Sequence, residues 1–214
     1  MPDIVLTTLN ARYAHASFGL RYLMANLPQD LRARAEMVEF DISQRPVDVV
    51  EAILSRSPRI VGVGVYIWNA AEALRVVGDL KRVRPDVLVV LGGPEVSYET
   101  EQQEIARLAD YVVTGEADIA FGELCEKLLA GKRPLQKVIA AELPEFVEAA
   151  TKRRSDEATE GKDKDGESTA FSVLPFVAPS LRRFVALPYH LYTDADLAHR
   201  VVYVEASRGC PFKC

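Results

Sequence analysis

Residues 59–68, RIVGVGVYIW, form the stretch that decides the fold. The run is almost continuously apolar, which is typical of a strand buried on both faces of a parallel sheet. The segment that follows, NAAEALRVVGDLKRVRP (69–85), has helical spacing, an expected N-cap at Asn69 and a stop at Pro85. A buried strand that leads directly into an amphipathic helix predicts a βα unit.

The same alternation extends in both directions from this unit. The other predicted strands are DIVLTTL (3–9), ARAEMVEFDI (33–42), DVLVVLGG (86–93) and DYVVTGE (110–116). The other predicted helices are SFGLRYLMANLP (17–28), PVDVVEAILSRS (46–57), TEQQEIARL (100–108) and ADIAFGELCEKLLAGK (117–132). Repeated βα units with short connections predict an α/β fold, a doubly wound parallel five-stranded sheet that is flavodoxin-like and Rossmann-type, with strand order 2-1-3-4-5.

Composition argues against several classes of function. The net charge of −5 argues against a nucleic-acid partner. No apolar run approaches the roughly 20 residues that cross a bilayer, and MPDIVLTTLNARYAH lacks the features of a signal peptide. We therefore expect a cytoplasmic protein without a membrane partner. Three cysteines in 214 residues do not make a disulfide framework.

The composition changes after the last predicted unit. Residues 151–169, TKRRSDEATEGKDKDGEST, are rich in charge and contain no aliphatic residue larger than alanine. Such a segment cannot bury enough apolar surface to offset the entropy of ordering it. We predict a first domain at 1–140, a charged linker or insertion at 141–170, and a connector with the start of a second domain at 171–214. This last part contains a predicted strand, VVYVEA (201–206).

Candidate binding residues follow from the fold, because ligands of such sheets bind outside the carboxyl ends of the strands. The loops at this edge are residues 10–17, 66–69, 92–98 and 115–118. They contain the candidates Asn10, Arg12, Tyr13, His15, Tyr66, Trp68, Asn69, Gly92, Gly93, Pro94, Glu95, Gly115 and Glu116. No catalytic residue is predicted.

Glycines mark this edge. Gly92 and Gly93 directly follow a buried strand and expose backbone without side chains, and Gly115 repeats the feature one strand further on. Small residues at two neighbouring strand ends predict a large, elongated ligand. The plain structural alternatives are a simple turn at the glycine pair and a Trp68 that only fills the core.

Three common ligands of doubly wound sheets lack their motifs. A flavin would need a Ser/Thr-rich phosphate loop after the first strand, where the sequence has NARYAHAS. A dinucleotide would favour G-x-G-x-x-G at the same place, which is absent. A phosphoacceptor domain would need an Asp at the end of the third strand, where residues 66–69 read YIWN.

The combination of NARYAHASFGLRYL, GVYIWN, LGGPEVSYE and TGEADIAFGEL with the later VVYVEASRGCPFKC resembles the cobalamin-binding radical S-adenosylmethionine enzymes. The resemblance covers nearly the whole chain. It implies a cobalamin-binding domain, a linker and the first strand of a truncated radical SAM barrel. It also implies that the loop 10–17 faces the corrin ring. The residues implied to border the nucleotide tail and lower ligand of cobalamin are Gly92, Gly93, Gly115 and Glu116.

One departure from the family pattern concerns histidine. The better-known cobalamin domains carry Asp-x-His-x-x-Gly after the first strand, where the His replaces the lower ligand of cobalt. Here Asn10 lies near the Asp position, and His15 precedes Gly19 by four residues rather than three. The resemblance therefore implies cobalamin bound without a histidine ligand.

Two cysteines close the sequence. In the family, Cys-x-x-x-Cys-x-x-Cys opens the barrel, and its three thiolates hold a [4Fe–4S] cluster whose fourth iron binds S-adenosylmethionine. Cys210 and Cys214 match the first two metal-ligand positions, and the third would follow Cys214. The resemblance thus implies the front part of a longer enzyme that does not hold the cluster by itself. Cys125, on a predicted helix, is expected to be a small buried residue.

The function implied is that of the N-terminal cobalamin-binding portion of a radical S-adenosylmethionine enzyme, a methyltransferase or another radical enzyme when intact. Its substrate, a small molecule or a peptide, and its oligomeric state are not predicted. One alternative is a doubly wound binding module that has lost cobalamin and acts as a platform for a substrate or partner. Another is an unrelated doubly wound domain that binds a nucleotide or a protein.

Overall fold

The computed structural model describes residues 1–13, 15–141 and 185–205. The strands are β1 (Ile4–Asn10), β2 (Ala35–Asp41), β3 (Ile60–Gly64), β4 (Leu88–Gly92), β5 (Tyr111–Thr114) and β6 (Val138–Ala140). The α-helices are α1 (Phe18–Asn26), α2 (Gln29–Arg32), α3 (Pro46–Leu54), α4 (Ala70–Val83), α5 (Glu104–Leu108), α6 (Ala120–Leu129) and α7 (Asp194–His199). The predictions for the linker centre (151–169) and for Cys210 and Cys214 lie outside the described residues.

The strands form one parallel sheet in the order β2-β1-β3-β4-β5-β6. The predicted order 2-1-3-4-5 is confirmed, but the sheet has six strands rather than five. The added strand, β6, pairs with β5 at the edge of the sheet, and Val138 and Ala140 are exposed. A three-residue edge strand is too short to produce a recognisable period-2 pattern.

Several helix starts and stops follow the sequence signals. Ser17 caps α1 by accepting a hydrogen bond from the Leu20 amide, and Pro46 opens α3. The helix α6 ends before Gly131, whose φ is +78°. Asn69 stands at the N-cap position of α4 as predicted, yet its side chain makes no capping bond.

Two predicted elements differ from the structure. The predicted helix 100–108 is a 3₁₀ turn at Thr100–Gln102 followed by α5. Gln103 separates them because its backbone is extended and its side-chain amide donates to the carbonyl oxygens of Glu95 and Tyr98. In the described part of the predicted strand 201–206, only Val201 forms a bridge, to His15.

The core has two layers, one on each face of the sheet. The first layer packs α3, α4 and α5 against the sheet, and its side chains include Val61, Val63, Val77 and Leu80. The second layer packs α1 and α6 against the other face. Cys125 is fully buried in this second layer, which confirms its predicted burial, and burial raises the pKa of its thiol to about 12. Among the described residues, no helix is both long and apolar enough to cross a bilayer.

Candidate cofactor-binding site

The glycines of β3 and β4 share one face of the sheet. Successive residues of a strand face opposite sides, so β3 presents Ile60, Gly62 and Gly64 to the second layer. On the same side β4 presents Val90 and Gly92, and Gly64 lies beside Gly92 in the parallel register. On this face the residues therefore become smaller along each strand, and glycines occupy the positions nearest the carboxyl edge of the sheet.

This shrinkage leaves a cleft, the slot, between the sheet edge and the helices α1 and α6. The slot has a volume of about 290 Å³. Its lining includes Phe18, Tyr22, Gly64, Gly92, Gly115 and Phe121. An apolar cleft of this kind at the carboxyl edge of a doubly wound sheet is where a flat or elongated ligand binds.

Gly64 and Gly92 are glycines that the fold itself does not require. A Cβ added to Gly92 would find its nearest neighbour, the Val113 carbonyl oxygen, at 3.7 Å, and one added to Gly64 would have neighbours at 3.4 Å. Gly93 is different, since its φ is +112° and a Cβ would lie 2.3 Å from the Val65 carbonyl oxygen. Of the adjacent pair, Gly93 therefore serves the turn, while Gly92 keeps the slot open.

A second cavity, the upper pocket, adjoins the slot above the loop that follows β1. Its volume is about 350 Å³. Its lining includes Asn10, His15, Ser17, Tyr66, Trp68 and Tyr203. Phe18, Gly19 and Tyr66 line both cavities, so the two are neighbours across these three residues.

An aromatic pair forms one wall of the upper pocket. The rings of Tyr66 and Trp68 stack with centroids 4.6 Å apart and an interplanar angle of 6°. Burial raises the pKa of the Tyr66 hydroxyl, and the charge of Glu39 adds to the rise. The hydroxyl is packed against α1, because a Cβ on Gly19 would lie 2.9 Å from it. Because Gly19 has no side chain, the Tyr66 hydroxyl can lie close to α1, where the two cavities meet.

Glu39, at the carboxyl end of β2, holds the loop between β1 and α1. Its Oε2 accepts hydrogen bonds from the Asn10 side-chain amide and the Ser17 backbone amide, both at 2.7 Å. One carboxylate therefore fixes both ends of the loop. Glu39 also pairs with the buried Arg21, at 2.6 Å.

Ser97 links the two glycine loops at the other end of the slot. Its hydroxyl donates to the Gly93 carbonyl oxygen at 2.9 Å and accepts from the Gly115 amide at 3.2 Å. Gly115 has a φ of +75°, so it serves its turn as Gly93 does. The hydroxyl of one serine thereby sets the spacing of the loops after β4 and β5.

Three carboxylate residues are part of the lining of the slot. Glu116, Asp118 and Glu205 line it, and the Glu205 carboxylate accepts a hydrogen bond from the Tyr22 hydroxyl. Carboxylate oxygens accept hydrogen bonds from hydroxyl groups, such as those of a ribose, and repel anions.

Most of the predicted site residues lie at these cavities, although their part in binding stays a prediction. Asn10, His15, Tyr66 and Trp68 line the upper pocket. Gly92, Gly93, Pro94, Gly115 and Glu116 line the slot. The remaining four, Arg12, Tyr13, Asn69 and Glu95, line neither cavity.

Two of these four residues have evident structural roles. The buried Asn69 side chain accepts from the Tyr66 amide and donates to the Leu9 carbonyl oxygen, which ties the loop after β3 to β1. Tyr13 is exposed, and the guanidinium of Arg200 lies over its ring at 4.6 Å.

Sequence reasoning missed several residues of the site. Gly62 and Gly64 carried a usable signal, because the alternate spacing in GVGV places both on the face that Gly92 shares. Phe18, Tyr22 and Phe121 look like ordinary core residues in the sequence. Tyr203 and Glu205 come from a distant part of the chain, and no local pattern indicates that they return to the sheet.

The described residues contain no group of three or more His, Cys, Asp or Glu side chains arranged to hold a metal ion.

A parallel doubly wound sheet with a glycine-floored cleft at its carboxyl edge defines a cofactor-binding α/β domain. The sequence matches the family described as the B12 binding domain over residues 4–125, more than half of the chain. The chain belongs to the B12-binding domain family.

Two curated proteins are similar to the chain. An uncharacterized methyltransferase, PH0819 of Pyrococcus horikoshii, is 28% identical over 168 residues, which cover 78% of this chain and 33% of that protein. The cobalamin-dependent radical SAM methyltransferase TokK of Streptomyces tokunonensis is 26% identical over 180 residues, which cover 80% of this chain and 24% of that protein. The chain thus spans a third or less of the length of these relatives.

One solved structure was also found as a partial match. The radical S-adenosylmethionine methyltransferase TsrM of Kitasatospora setae aligns with a TM-score of 0.48 at 20% identity, over 60% of this chain and 26% of that one.

Proposed function

We propose that the chain is the N-terminal cobalamin-binding portion of a radical S-adenosylmethionine enzyme and that the intact protein is a methyltransferase. The observation that carries the cobalamin part is the slot, floored by Gly64 and Gly92, with the upper pocket as its neighbour. Neither glycine is required by the fold, and both keep the slot open on one face of the sheet.

The chain's own residues have distinct tasks in this proposal. The slot takes the flat nucleotide base of the cofactor between Phe121 and the glycine floor, where burial of an apolar ring is favourable. Glu116, which lines the slot, accepts hydrogen bonds from hydroxyl groups of the nucleotide sugar. The stacked pair Tyr66 and Trp68 gives the upper pocket a flat wall that excludes water from the corrin.

Cobalamin supplies such enzymes with a carrier for the methyl group, while the cluster and S-adenosylmethionine supply the radical. The protein's contribution is placement and shielding. Glu39 fixes the loop 10–17 at both ends, so this loop is preorganised beside the upper pocket.

The radical part of the proposal rests on the sequence and on the relatives. Cys210 and Cys214 have the spacing of the first two cluster ligands, in the context RGCPFKC. The similarity to a cobalamin-dependent radical SAM methyltransferase extends over 80% of the chain, beyond the B12-binding match.

The cobalamin proposal is tested by mixing the purified chain with hydroxocobalamin, desalting it and recording the visible spectrum. We expect about one corrinoid per chain to be retained. A sample that is folded by circular dichroism but elutes without the pink chromophore would contradict the proposal. That result would favour a binding module that has lost cobalamin.

The radical proposal has a separate test. Anaerobic reconstitution of the whole protein with iron and sulfide is expected to give the brown chromophore of a [4Fe–4S] cluster. Cys210→Ser and Cys214→Ser are expected to abolish it, and Cys125→Ser is the matched control, since Cys125 is buried in the core. Retention of the cluster in the first two variants would contradict the assignment.

A further inference from the structure

Residues 186–205, the docking segment, lie against the cobalamin-binding domain, although the family match ends at residue 125. The Asn26 side chain bonds both backbone groups of Ala186, accepting at 2.6 Å and donating at 3.0 Å. Further along, His15 Nδ1 lies 2.6 Å from the Tyr203 hydroxyl. The segment is therefore attached to α1 and its preceding loop at both of its ends.

The docking segment contributes to both cavities. Tyr203 lines the upper pocket, and its ring stacks on His15 with centroids 6.1 Å apart. Glu205 lines the slot and accepts a hydrogen bond from the Tyr22 hydroxyl. The Glu205 amide in turn donates to the Tyr189 hydroxyl at 3.0 Å, which joins the two ends of the segment.

A buried network of four charges holds the segment in place. Arg21, on α1, is only 2% exposed and pairs with Glu39 at 2.6 Å and with Asp196 of α7 at 3.0 Å. Arg200 completes the network, 3.4 Å from Glu39 and 3.5 Å from Asp196. The two positive guanidinium groups neutralise the two negative carboxylates. Removal of any one of the four groups would leave a buried charge without its partner.

The network joins the segment to the loop that borders the upper pocket. Glu39 binds Asn10 and Ser17 with one oxygen and the arginines with the other. Asp196 also anchors α7, because it accepts from Thr193 in a capping box. Burial acts to raise the pKa of Asp196, but hydrogen bonds from Thr193 and the charge of Arg21 outweigh it and lower the pKa, so the group stays ionised.

We propose that the docking segment is part of the cobalamin site, that Tyr203 and Glu205 contact the cofactor, and that Asp196 and Arg200 are positioning residues. This inference rests on the proposed cobalamin function. It goes beyond that function because it assigns cofactor contacts to residues outside the B12-binding match, on the stretch that precedes the two cysteines.

Three single substitutions in the full chain test the positioning role. Asp196→Asn keeps the shape and removes the charge, while Asp196→Glu keeps the charge and the capping box. The matched control is Asp48→Asn, which breaks the exposed pair between Asp48 and Arg45. Hydrogen exchange measures docking of residues 186–205, and titration with hydroxocobalamin measures affinity.

We expect Asp196→Asn to speed exchange in the docking segment and to weaken cobalamin binding about tenfold, since a hydrogen-bonded buried charge pair is lost. Exchange in β3 and β4 should not change. Asp196→Glu should restore most of the affinity, and Asp48→Asn should match the unmodified chain. Faster exchange in the segment with unchanged affinity would overturn the inference while leaving the cobalamin proposal intact.

Direct contact is tested in the unmodified chain and in Tyr203→Phe. Hydroxocobalamin is expected to slow exchange in the peptide that contains Tyr203 and Glu205. Tyr203→Phe, which removes the bond to His15, is expected to weaken binding several-fold. Bound cobalamin without added protection of this peptide would contradict the contact. Failure of the unmodified chain to bind cobalamin would instead remove the proposed function and this inference with it.

Discussion

The two faces of the sheet differ in how far side chains fill the space above them. On the first face, Val61, Val63 and Val65 of the β3 stretch are almost fully buried against α3 and α4. On the second face, the intervening positions carry Ile60, Gly62 and Gly64. Only Ile60 has a side chain that fills the space above the strand. Because adjacent positions of one strand differ in this way, the slot reflects the choice of residue rather than a general looseness of packing.

The first face of the sheet contributes mainly to stability, and the second face combines stability with a site for a ligand. The first face contributes buried apolar area along the whole of β3. The second face gives up part of that area at the carboxyl edge, where Gly64 and Gly92 lie side by side. Substitutions of core residues on the first face should therefore change stability alone, whereas substitutions of Gly64 and Gly92 should mainly change binding.

The largest expected effect is on stability, at Leu80 of α4, which is fully buried in the first layer. Leu80→Ala should lower the free energy of unfolding by about 2–5 kcal/mol, measured by urea denaturation. The cobalamin affinity of the folded protein should not change. Val83→Ala, on the exposed side of the same helix, is the control and should stay within about 0.5 kcal/mol. A loss of cobalamin affinity in the folded Leu80→Ala protein would contradict the claim that the first face affects stability and not binding.

Filling the slot should have the next largest effect. Gly92→Leu should weaken cobalamin binding about 100-fold, because the new side chain occupies the cavity, while the protein remains folded. Gly78→Ala is the control, since its Cβ would also lie 3.7 Å from the nearest neighbour but on α4, at the other face. It should leave affinity unchanged. Equal affinity of Gly92→Leu and the unmodified chain would show that the slot is not the site.

A smaller effect is expected at the junction of the two cavities. Gly19→Ala would place a Cβ 2.9 Å from the Tyr66 hydroxyl, so Tyr66 must shift, and affinity should fall about tenfold. Removing that hydroxyl should relieve the overlap. The double variant Gly19→Ala, Tyr66→Phe should therefore bind as Tyr66→Phe does, as measured by the same titration. Independent, additive losses would contradict this geometry.

The smallest expected effect concerns Cys125, a buried residue of the second layer. Cys125 lies one helical turn after Phe121 on α6, and burial raises the pKa of its thiol to about 12. At pH 8 only about one thiol in ten thousand is ionised, so iodoacetamide should leave Cys125 unmodified in the native chain. Peptide mapping by mass spectrometry separates it from the other two cysteines. Phe121→Ala should expose it, and rapid labelling of the unmodified chain would mean that the second face is open throughout.

Local sequence patterns predicted the strand order and the glycine loops because each depends on a few adjacent residues. The alternation of apolar periods marked β1 to β5, and LGGP and TGEA marked two strand ends that meet at the same edge. Such local signals can be read from the sequence without knowledge of the tertiary structure.

The missed features depend on contacts between distant segments. Glu39 holds a loop that lies more than twenty residues earlier in the chain, and Asp196 meets Arg21 across 175 positions. Asn69 was expected to cap α4, but its side chain instead bonds β1, since three acceptors of the neighbouring strands surround it. Local sequence propensity does not determine which of several possible partners such a side chain bonds in the folded protein.

The most direct test of the account compares hydroxocobalamin with aquocobinamide, the corresponding corrinoid without the nucleotide tail, by equilibrium dialysis against the full chain. If the slot takes the tail, cobinamide should bind at least about 100-fold more weakly, and Gly92→Leu should remove the difference. Equal affinity for the two corrinoids in the unmodified chain would contradict the assignment of the slot to the cofactor.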